Sequence, residues 1–375
     1  MRILYLEPFH GGSHQRFGEQ LQAGIAAEWE SLTLPARHWK WRMRGAALWF
    51  ASAHAELLRG KFDLIVASSY LPLAELLGLV PALAPVPSLL YFHENQLSYP
   101  ARKRSALQPG AAPAERDHHF GFTQLVSAAA ATRCVFNSAY NQISFLSAAE
   151  SLLRRMPDAQ PTAWLEAIRL KSCVLGVPLE LEALAPPPDP PLEERAAGPL
   201  ILWNHRWEYD KGPDTCCELL AALAARGVPF RVAVCGQRFT EQPEALEPTR
   251  RLLGDRVEHW GTAAPQAYAR LLRRASLVLS TARHEFFGIS VIEAVHAGAR
   301  PLLPNGLVYP ELFPEEYLYR DFEHALSELE RLARGFVDGS ISLRADRRQH
   351  TQRFAAVELL PQFRALFAAV AGTLR

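Results

Sequence analysis

The chain has 375 residues, enough for two domains of ordinary size, with 49% hydrophobic and 21% charged residues and a net charge of +1. That balance excludes a disordered chain, and it excludes nucleic-acid binding driven by bulk positive charge, so any such contact must come from a local patch. The five cysteines (Cys134, Cys173, Cys216, Cys217, Cys235) form no C-x-x-C pair and read as reduced, mostly buried thiols. The apolar run at the start ends at Glu7, too short for a secretory segment, and the apolar stretch Tyr70 to Phe92 is broken by Glu75, Pro72, Pro81, Pro85 and Pro87. A cytoplasmic protein without a membrane span is expected.

In chain order, Arg2 to Leu6 reads as a strand, Gly11 and Gly12 as a turn, and Gln15 to Trp29 as a helix. Strands follow at FDLIVASS (62 to 69), PSLLYFHEN (87 to 95) and TRCVFNS (132 to 138), separated by helix-length segments. The proline-rich stretch 184–198 predicts a linker. Beyond it the alternation restarts, with strands at 199 to 205, 229 to 236, 256 to 261 and 275 to 282. Helices are expected over 214 to 226, 265 to 274 and 288 to 298. The pattern predicts an α/β protein of two doubly wound, Rossmann-like domains, 1–183 and 199–353, with a final helix from about 354 packing back on the first. Ligands of such sheets bind at the carboxyl ends of strands, so the polar residues that end these strands are the candidates.

The strongest candidate is HEFFGISVIEAVHAGARPLLP (284 to 304), in which Glu285 lies in a loop and Glu293 eight positions later on the next helix. Phe287 and Gly288 open that helix and are expected to offer unpaired N–H groups to a phosphate. In WNHRWEYDKGPD (203 to 214), Arg206 and Lys211 follow the first strand of the second domain, where two cations can hold a diphosphate and stabilise it as a leaving group. Gly236 ends a further strand. His93 and Glu94 end the strand PSLLYF, with Asn95 next, and Asn137 and Ser138 end another, where Asn-Ser is equally an ordinary turn and helix cap. His10 and His14 flank the glycine turn, within reach of phosphate or acceptor, or as helix caps. RHWKWRMR (37 to 44) carries Arg37, Lys40, Arg42 and Arg44 with Trp39 and Trp41 between them, cations for phosphates and rings for stacking, which is an RNA-contact composition. A second basic run spans Arg102 to Arg104. Neither an H-E-x-x-H string nor an Asp-x-Asp string is present, so no metal site is expected.

The two glutamates, the Arg206 and Lys211 pair and the Gly11-Gly12 turn together resemble family 4 of the retaining GT-B glycosyltransferases, in which two Rossmann-like domains face each other across a cleft. The resemblance implies that Glu285 contacts the transferred sugar and Glu293 the ribose of the nucleotide. Arg206 with Lys211 would hold the diphosphate, and Gly11 with Gly12 would lie against it. Longer strings, EPFHGGSH (7 to 14), HWKWRMRG (38 to 45), YFHENQLSYP (91 to 100), FGFTQLVSAAAATRCVFNSAYNQISFL (120 to 146), NHRWEYDKGPD (204 to 214) and LVYPELFPEEYLY (307 to 319), resemble the tRNA-queuosine mannosyltransferase family. That resemblance implies transfer of mannose from GDP-mannose to queuosine in the anticodon loop of a tRNA of the tRNA-Asp type, with retention at the anomeric carbon.

It further implies a catalytic set of His93, Glu285, Arg206 and Lys211. The donor site adds Gly11, Gly12, Phe287, Gly288, Glu293 and Gly236. The acceptor would meet His10, His14, Trp39, Lys40, Trp41, Arg42, Arg44, Glu94, Asn95, Asn137 and Ser138. No cofactor, metal or membrane is expected. The rival readings are a glycosyltransferase of the same fold with a lipid or small-molecule acceptor, and a GT-B nucleotide-sugar epimerase.

Overall fold

The computed structural model describes residues 1–99, 118–184, 187–236 and 243–372; the basic run 102–104 lies outside them. It contains two compact units, Met1–Leu179 with Ala356–Arg375, and Glu180–Ala355.

The first unit is built on β1 (Arg2–His10), β2 (Glu28–Pro35), β3 (Leu64–Ser68), β4 (Ser88–Phe92), β5 (Arg133–Phe136) and β6 (Ser172–Val174), all parallel in the order β2-β1-β3-β4-β5-β6. Its central strands are apolar on both faces, as Ile3, Leu4, Leu6, Ile65, Leu90, Phe92 and Phe136 show by their complete burial. Residues Gln15 to Trp29 do not form one helix. The helix runs Gly12–Gly24, and Trp29 sits on the edge strand β2, where the exposed Ser31 and Thr33 lie on one face and the buried Leu32 on the other, keeping one side wet and one side dry. The last helix, Ala356–Gly372, belongs to this unit, placing Phe363 5.6 Å from Phe17 and Phe367 6.2 Å from Trp29, ring to ring. Burying each such phenyl contributes about 1.5–3 kcal/mol.

The second unit carries β7 (Leu200–Trp203), β8 (Arg231–Cys235), β9 (Val257–Gly261), β10 (Leu277–Leu279), β11 (Arg300–Pro304) and β12 (Leu318–Tyr319), again parallel, in the order β12-β11-β10-β7-β8-β9. The chain starts at β7, winds outward through β8 and β9, and returns to the other side of β7 with β10. The carboxyl ends of β7 and β10 are therefore the switch point at which such sheets bind ligands. The proline-rich stretch is not a free connector. Asp189 accepts hydrogen bonds from Ser342 Oγ (2.8 Å) and the Leu343 and Arg344 N–H groups (both 3.0 Å), and Arg195 lies over the Phe336 ring at 5.0 Å. These bonds hold the segment inside the second unit, whose boundary falls at Glu180 instead of 199.

The five cysteines are unpaired, four of them buried and Cys173 half-buried. Among the described residues no helix is long and apolar enough to cross a membrane.

Candidate active site

In the second unit the loops that leave β7 and β10 are braced against each other. Trp203 Nε1 donates to Thr281 Oγ1 at 2.9 Å, and that hydroxyl donates to the Gly212 carbonyl at 2.9 Å. The Arg283 and His284 N–H groups both donate to the Asp210 carbonyl, at 2.7 and 3.1 Å. Gly212 takes φ +64°, and a Cβ there would run into the Thr281 carbonyl, so glycine is required where the two loops close on each other.

This bracing buries Lys211 beside Glu285: Nζ lies 3.2 Å from Glu285 Oε2, 3.1 Å from Asp210 Oδ2, and donates to the His284 carbonyl at 2.8 Å. Burial works against the Lys211 charge, but Glu285 and Asp210 outweigh it and raise its pKa. Burial alone would raise the Glu285 carboxyl; Lys211, then His205, reverse this and hold it down at about 2. His205, also buried, is pushed by burial down to about 4 and is neutral at physiological pH. Arg206 lies at the rim of this core, its charge felt by Lys211 and His205, with its side chain 48% exposed and Nη2 3.2 Å from Glu208. The two cations are thus unequal, since Lys211 is committed to two carboxylates and Arg206 is the accessible charge.

The phosphate-binding N–H groups expected at Phe287 are not free. Phe286 N and Phe287 N donate to Glu285 Oε1, at 3.2 and 3.4 Å, because the carboxylate folds back over its own loop. Gly288 caps the helix Ile289–His296 at φ +83°, a backbone conformation that glycine supplies without strain. Glu293, half-buried on that helix, accepts a hydrogen bond from Tyr268 Oη at 2.8 Å, and Tyr268 Oη accepts one from Asn204 Nδ2 at 3.0 Å. Asn204 Nδ2 also donates to the Ser290 carbonyl, while its Oδ1 is buried without a hydrogen-bond partner among the described residues. Tyr268 and Asn204 were not anticipated from sequence. Gly236 follows β8 directly, and a Cβ there would meet the His205 carbonyl and the Trp207 ring.

In the first unit, Gly11 caps the helix Gly12–Gly24 and Gly12 is its exposed first residue. His14 makes no cap. Its Nδ1 donates to Glu7 Oε2 at 3.0 Å, and its ring lies 4.0 Å from the His93 ring at an interplanar angle of 31°. Burial, then His14, push the pKa of His93 well down, so His93 is neutral. Glu7 was not singled out from sequence, because a carboxylate inside an apolar strand shows its purpose only through its partners. The ligand-type atoms of Glu7, His14 and His93 lie within 4.8 Å of one another, a cluster that no motif announces. The two imidazoles are nevertheless packed against each other with centroids 4.0 Å apart; two imidazoles bound to one ion at about 2.0 Å would have their centroids roughly 5 Å apart.

His10 Nδ1 is buried without a partner among the described residues. Glu94 Oε1 accepts from Tyr70 Oη and Gln96 Nε2, both at 2.7 Å. Three expected acceptor residues belong instead to the scaffold. Asn95 bonds Asn141 (2.9 Å) and the Ser98 N–H (2.8 Å), Asn137 bonds the His93 carbonyl (2.7 Å) and Asn141, and Ser138 Oγ caps the helix Ala139–Leu153 by accepting from Asn141 N. Their polar groups are spent on fixing the loops after β4 and β5.

The basic aromatic segment forms the start of the helix Trp39–Ala53. Met43, Ala46, Ala47 and Phe50 face the core, a spacing of three and four, which turns Trp41 outward at 75% exposure with Leu48 and Trp49. Trp39 differs: it is half-buried against Phe120, ring centroids 5.1 Å apart, at the edge of a cluster with Met43 and Tyr70. Arg44 lies over the Phe120 ring at 4.7 Å, Lys40 over Trp39 at 5.7 Å, and Arg42 Nε donates to the Pro35 carbonyl.

Residues 2–179 match the family model described as tRNA-queuosine alpha-mannosyltransferase N-terminal, and residues 190–318 match glycosyl transferases group 1. A tRNA-queuosine alpha-mannosyltransferase from Drosophila melanogaster is 36% identical over 388 residues, covering 97% of this chain and 96% of that protein. A GDP-mannose:cellobiosyl-diphosphopolyprenol alpha-mannosyltransferase from Xanthomonas campestris is 32% identical over 113 residues, 30% of each chain. Anabaena HepE, solved in complex with UDP and glucose, superposes with a TM-score of 0.65 at 16% identity, covering 98% of this chain and 100% of that one. Sucrose-phosphate synthase from Thermosynechococcus elongatus superposes at 0.63 and 17%, with the same coverage. The fold is that of the GT-B glycosyltransferases.

Proposed function

Since the chain belongs to the tRNA-queuosine alpha-mannosyltransferase family, we propose that it transfers mannose from GDP-mannose to queuosine in a tRNA anticodon loop with retention of configuration. The observation that carries this reading is the 36% identity sustained over 97% of the chain, through the donor-type and the acceptor-type unit alike. The likeness to a relative whose name specifies GDP-mannose supports the donor, and the exposed tryptophan and cations of the first unit support an RNA acceptor.

The donor belongs to the second unit. Arg206 and Lys211 meet its diphosphate, Glu285 a hydroxyl of the mannose, and Glu293, held by Tyr268, the ribose, with Gly236, Phe287 and Gly288 forming the backbone wall. In transfer the bond from C1 to the diphosphate oxygen breaks as the bond from C1 to the acceptor oxygen forms on the same face. The acceptor proton passes to the departing phosphate oxygen, so no enzymic nucleophile and no metal are invoked. Arg206 and Lys211 stabilise the charge that develops on the leaving group. In the first unit Lys40, Trp41, Arg42 and Arg44 hold the RNA.

Mass spectrometry of tRNA nucleosides after incubation with GDP-mannose and with other sugar nucleotides tests the reading. The expected product is queuosine heavier by one hexose, formed from GDP-mannose on queuosine-bearing tRNA. Equal transfer to tRNA with guanine at that position, transfer to a lipid alone, or release of an altered sugar nucleotide without transfer would overturn it.

A further inference from the structure

A fully buried carboxylate is costly unless its oxygens are bonded, and Glu7, inside β1 three residues before its end, is bonded on both. Oε1 accepts from Ser68 Oγ at 2.9 Å and from the Phe9 N–H at 2.8 Å, while Oε2 accepts from His14 Nδ1 at 3.0 Å. The carboxylate therefore ties the ends of β1 and β3 to the first turn of the helix Gly12–Gly24. The imidazole it holds packs against the His93 ring at a tilt of 31°, and His93 Nε2 is buried without a hydrogen-bond partner among the described residues. Around the two rings stand Phe9, Phe17, Tyr70 and Tyr91, aromatic walls that leave His93 without another polar support for its ring.

We propose that Glu7 is a positioning residue for the acceptor: by fixing His14 through Nδ1 it fixes His93, whose ring packs against that of His14, and keeps a His93 nitrogen available to a hydroxyl of the acceptor diol. The proposal rests on the transfer to queuosine argued above, whose cyclopentene ring supplies that hydroxyl. A neutral imidazole presents one lone pair and one N–H on opposite edges of the ring, so a single nitrogen meets a single hydroxyl of the diol. His93 orients the attacking oxygen and keeps no proton from it, since that proton leaves with the phosphate. Burial and the neighbouring His14 hold His93 neutral, as this task requires.

Two measurements on the full chain test this, with Glu7→Leu and Glu7→Gln as variants. Without substrate, ¹⁵N spectra of histidine-labelled protein should show His14 protonated at Nδ1 in the wild type and released to the commoner Nε2–H form in Glu7→Leu. In transfer assays Glu7→Leu should lose about a hundredfold in kcat while the acceptor KM stays within about threefold, a split that general loss of folded protein does not produce. Glu7→Gln, which keeps one acceptor oxygen, should lose about tenfold and carries the kinetic test alone if the leucine variant does not fold. Wild-type kcat in Glu7→Gln, or a wild-type His14 protonated at Nε2 alone, overturns the proposal. So does one equivalent of tightly held metal in the purified wild type, which would make the three side chains ligands. Failure of the wild type to modify queuosine tRNA would instead sink the proposed activity, and the His14 spectrum would still decide the Glu7–His14 arrangement.

Discussion

Asp210, Lys211 and Glu285 together carry one positive and two negative charges in a buried place, so the group is net negative before any donor arrives. In the proposed function a diphosphate brought to it needs positive charge beyond Lys211, and the half-exposed Arg206 of the adjoining loop is the residue proposed to add it. Arg206→Ala should leave thermal stability within about 0.5 kcal/mol and weaken GDP-mannose binding about tenfold to a hundredfold, measured by calorimetry. Lys211→Ala should behave differently, costing about 3–5 kcal/mol of stability because two carboxylates are left buried without their counter-charge. Equal effects of the two variants on the melting temperature would refute this division of labour. Glu285, Glu293, Arg206 and Lys211 were legible because each stands in a short string at a strand end. Their unequal states were not, since exposure and pairing depend on loops more than seventy residues apart. Tyr268 and Glu7 were invisible for the same reason: one holds Glu293 and the other His14, and neither has a chemical role until its partner is beside it.

At the scale of elements, strands with apolar runs on both faces were readable directly, as β3, β4, β5, β7 and β8 were. The edge strands β2, β6 and β12 were missed, because a half-wet element or one of two or three residues leaves little periodicity to detect. The helix Phe322–Val337 was missed although Ala325, Leu326, Leu329, Leu332, Ala333 and Phe336 recur at the helical spacing. The helix Trp39–Ala53 shows what composition alone leaves undecided. Its basic and aromatic content was plain, yet the helical period assigns the two leading tryptophans to opposite tasks, Trp39 inward against Phe120 and Trp41 outward. Trp49, eight residues and about 12 Å further along, adds a second exposed indole. Trp41→Ala combined with Trp49→Ala should raise the tRNA KM by about tenfold or more with the donor KM unchanged, each stacked base being worth about 1–3 kcal/mol. Replacing Lys40, Arg42 and Arg44 should flatten the dependence of tRNA affinity on salt. Trp39→Ala should instead lower the melting temperature. A tRNA KM that responds to Trp39 alone and ignores Trp41 and Trp49 would move the RNA off this face.

For the whole molecule, acid stability follows from histidines buried neutral in both units. His93 in the first unit and His205 in the second have native pKa values depressed below 6.5, His205 to about 4. As pH falls below 6.5 the unfolded chain therefore takes up protons that the native chain refuses. Stability is complete above about pH 6.5 and is lost progressively as pH falls toward the native values, His205 alone accounting for about 2 kcal/mol by pH 5. Glu285 has the same sign in a lower window: its contribution is present above the ordinary carboxylate value of 4.5 and disappears as pH falls toward about 2. Between pH 7 and pH 5 the Glu285 contribution is thus constant and the histidines set the slope. Calorimetry over that interval should show the melting temperature falling, with a shallower fall in His205→Gln whatever its absolute stability. Where the units melt separately, His93→Gln should flatten the transition of the first unit and leave the slope of the second as it was. Wild-type slopes in both variants would mean that the buried imidazoles are already charged in the native protein, and the neutral His93 that the acceptor proposal requires would fall with them.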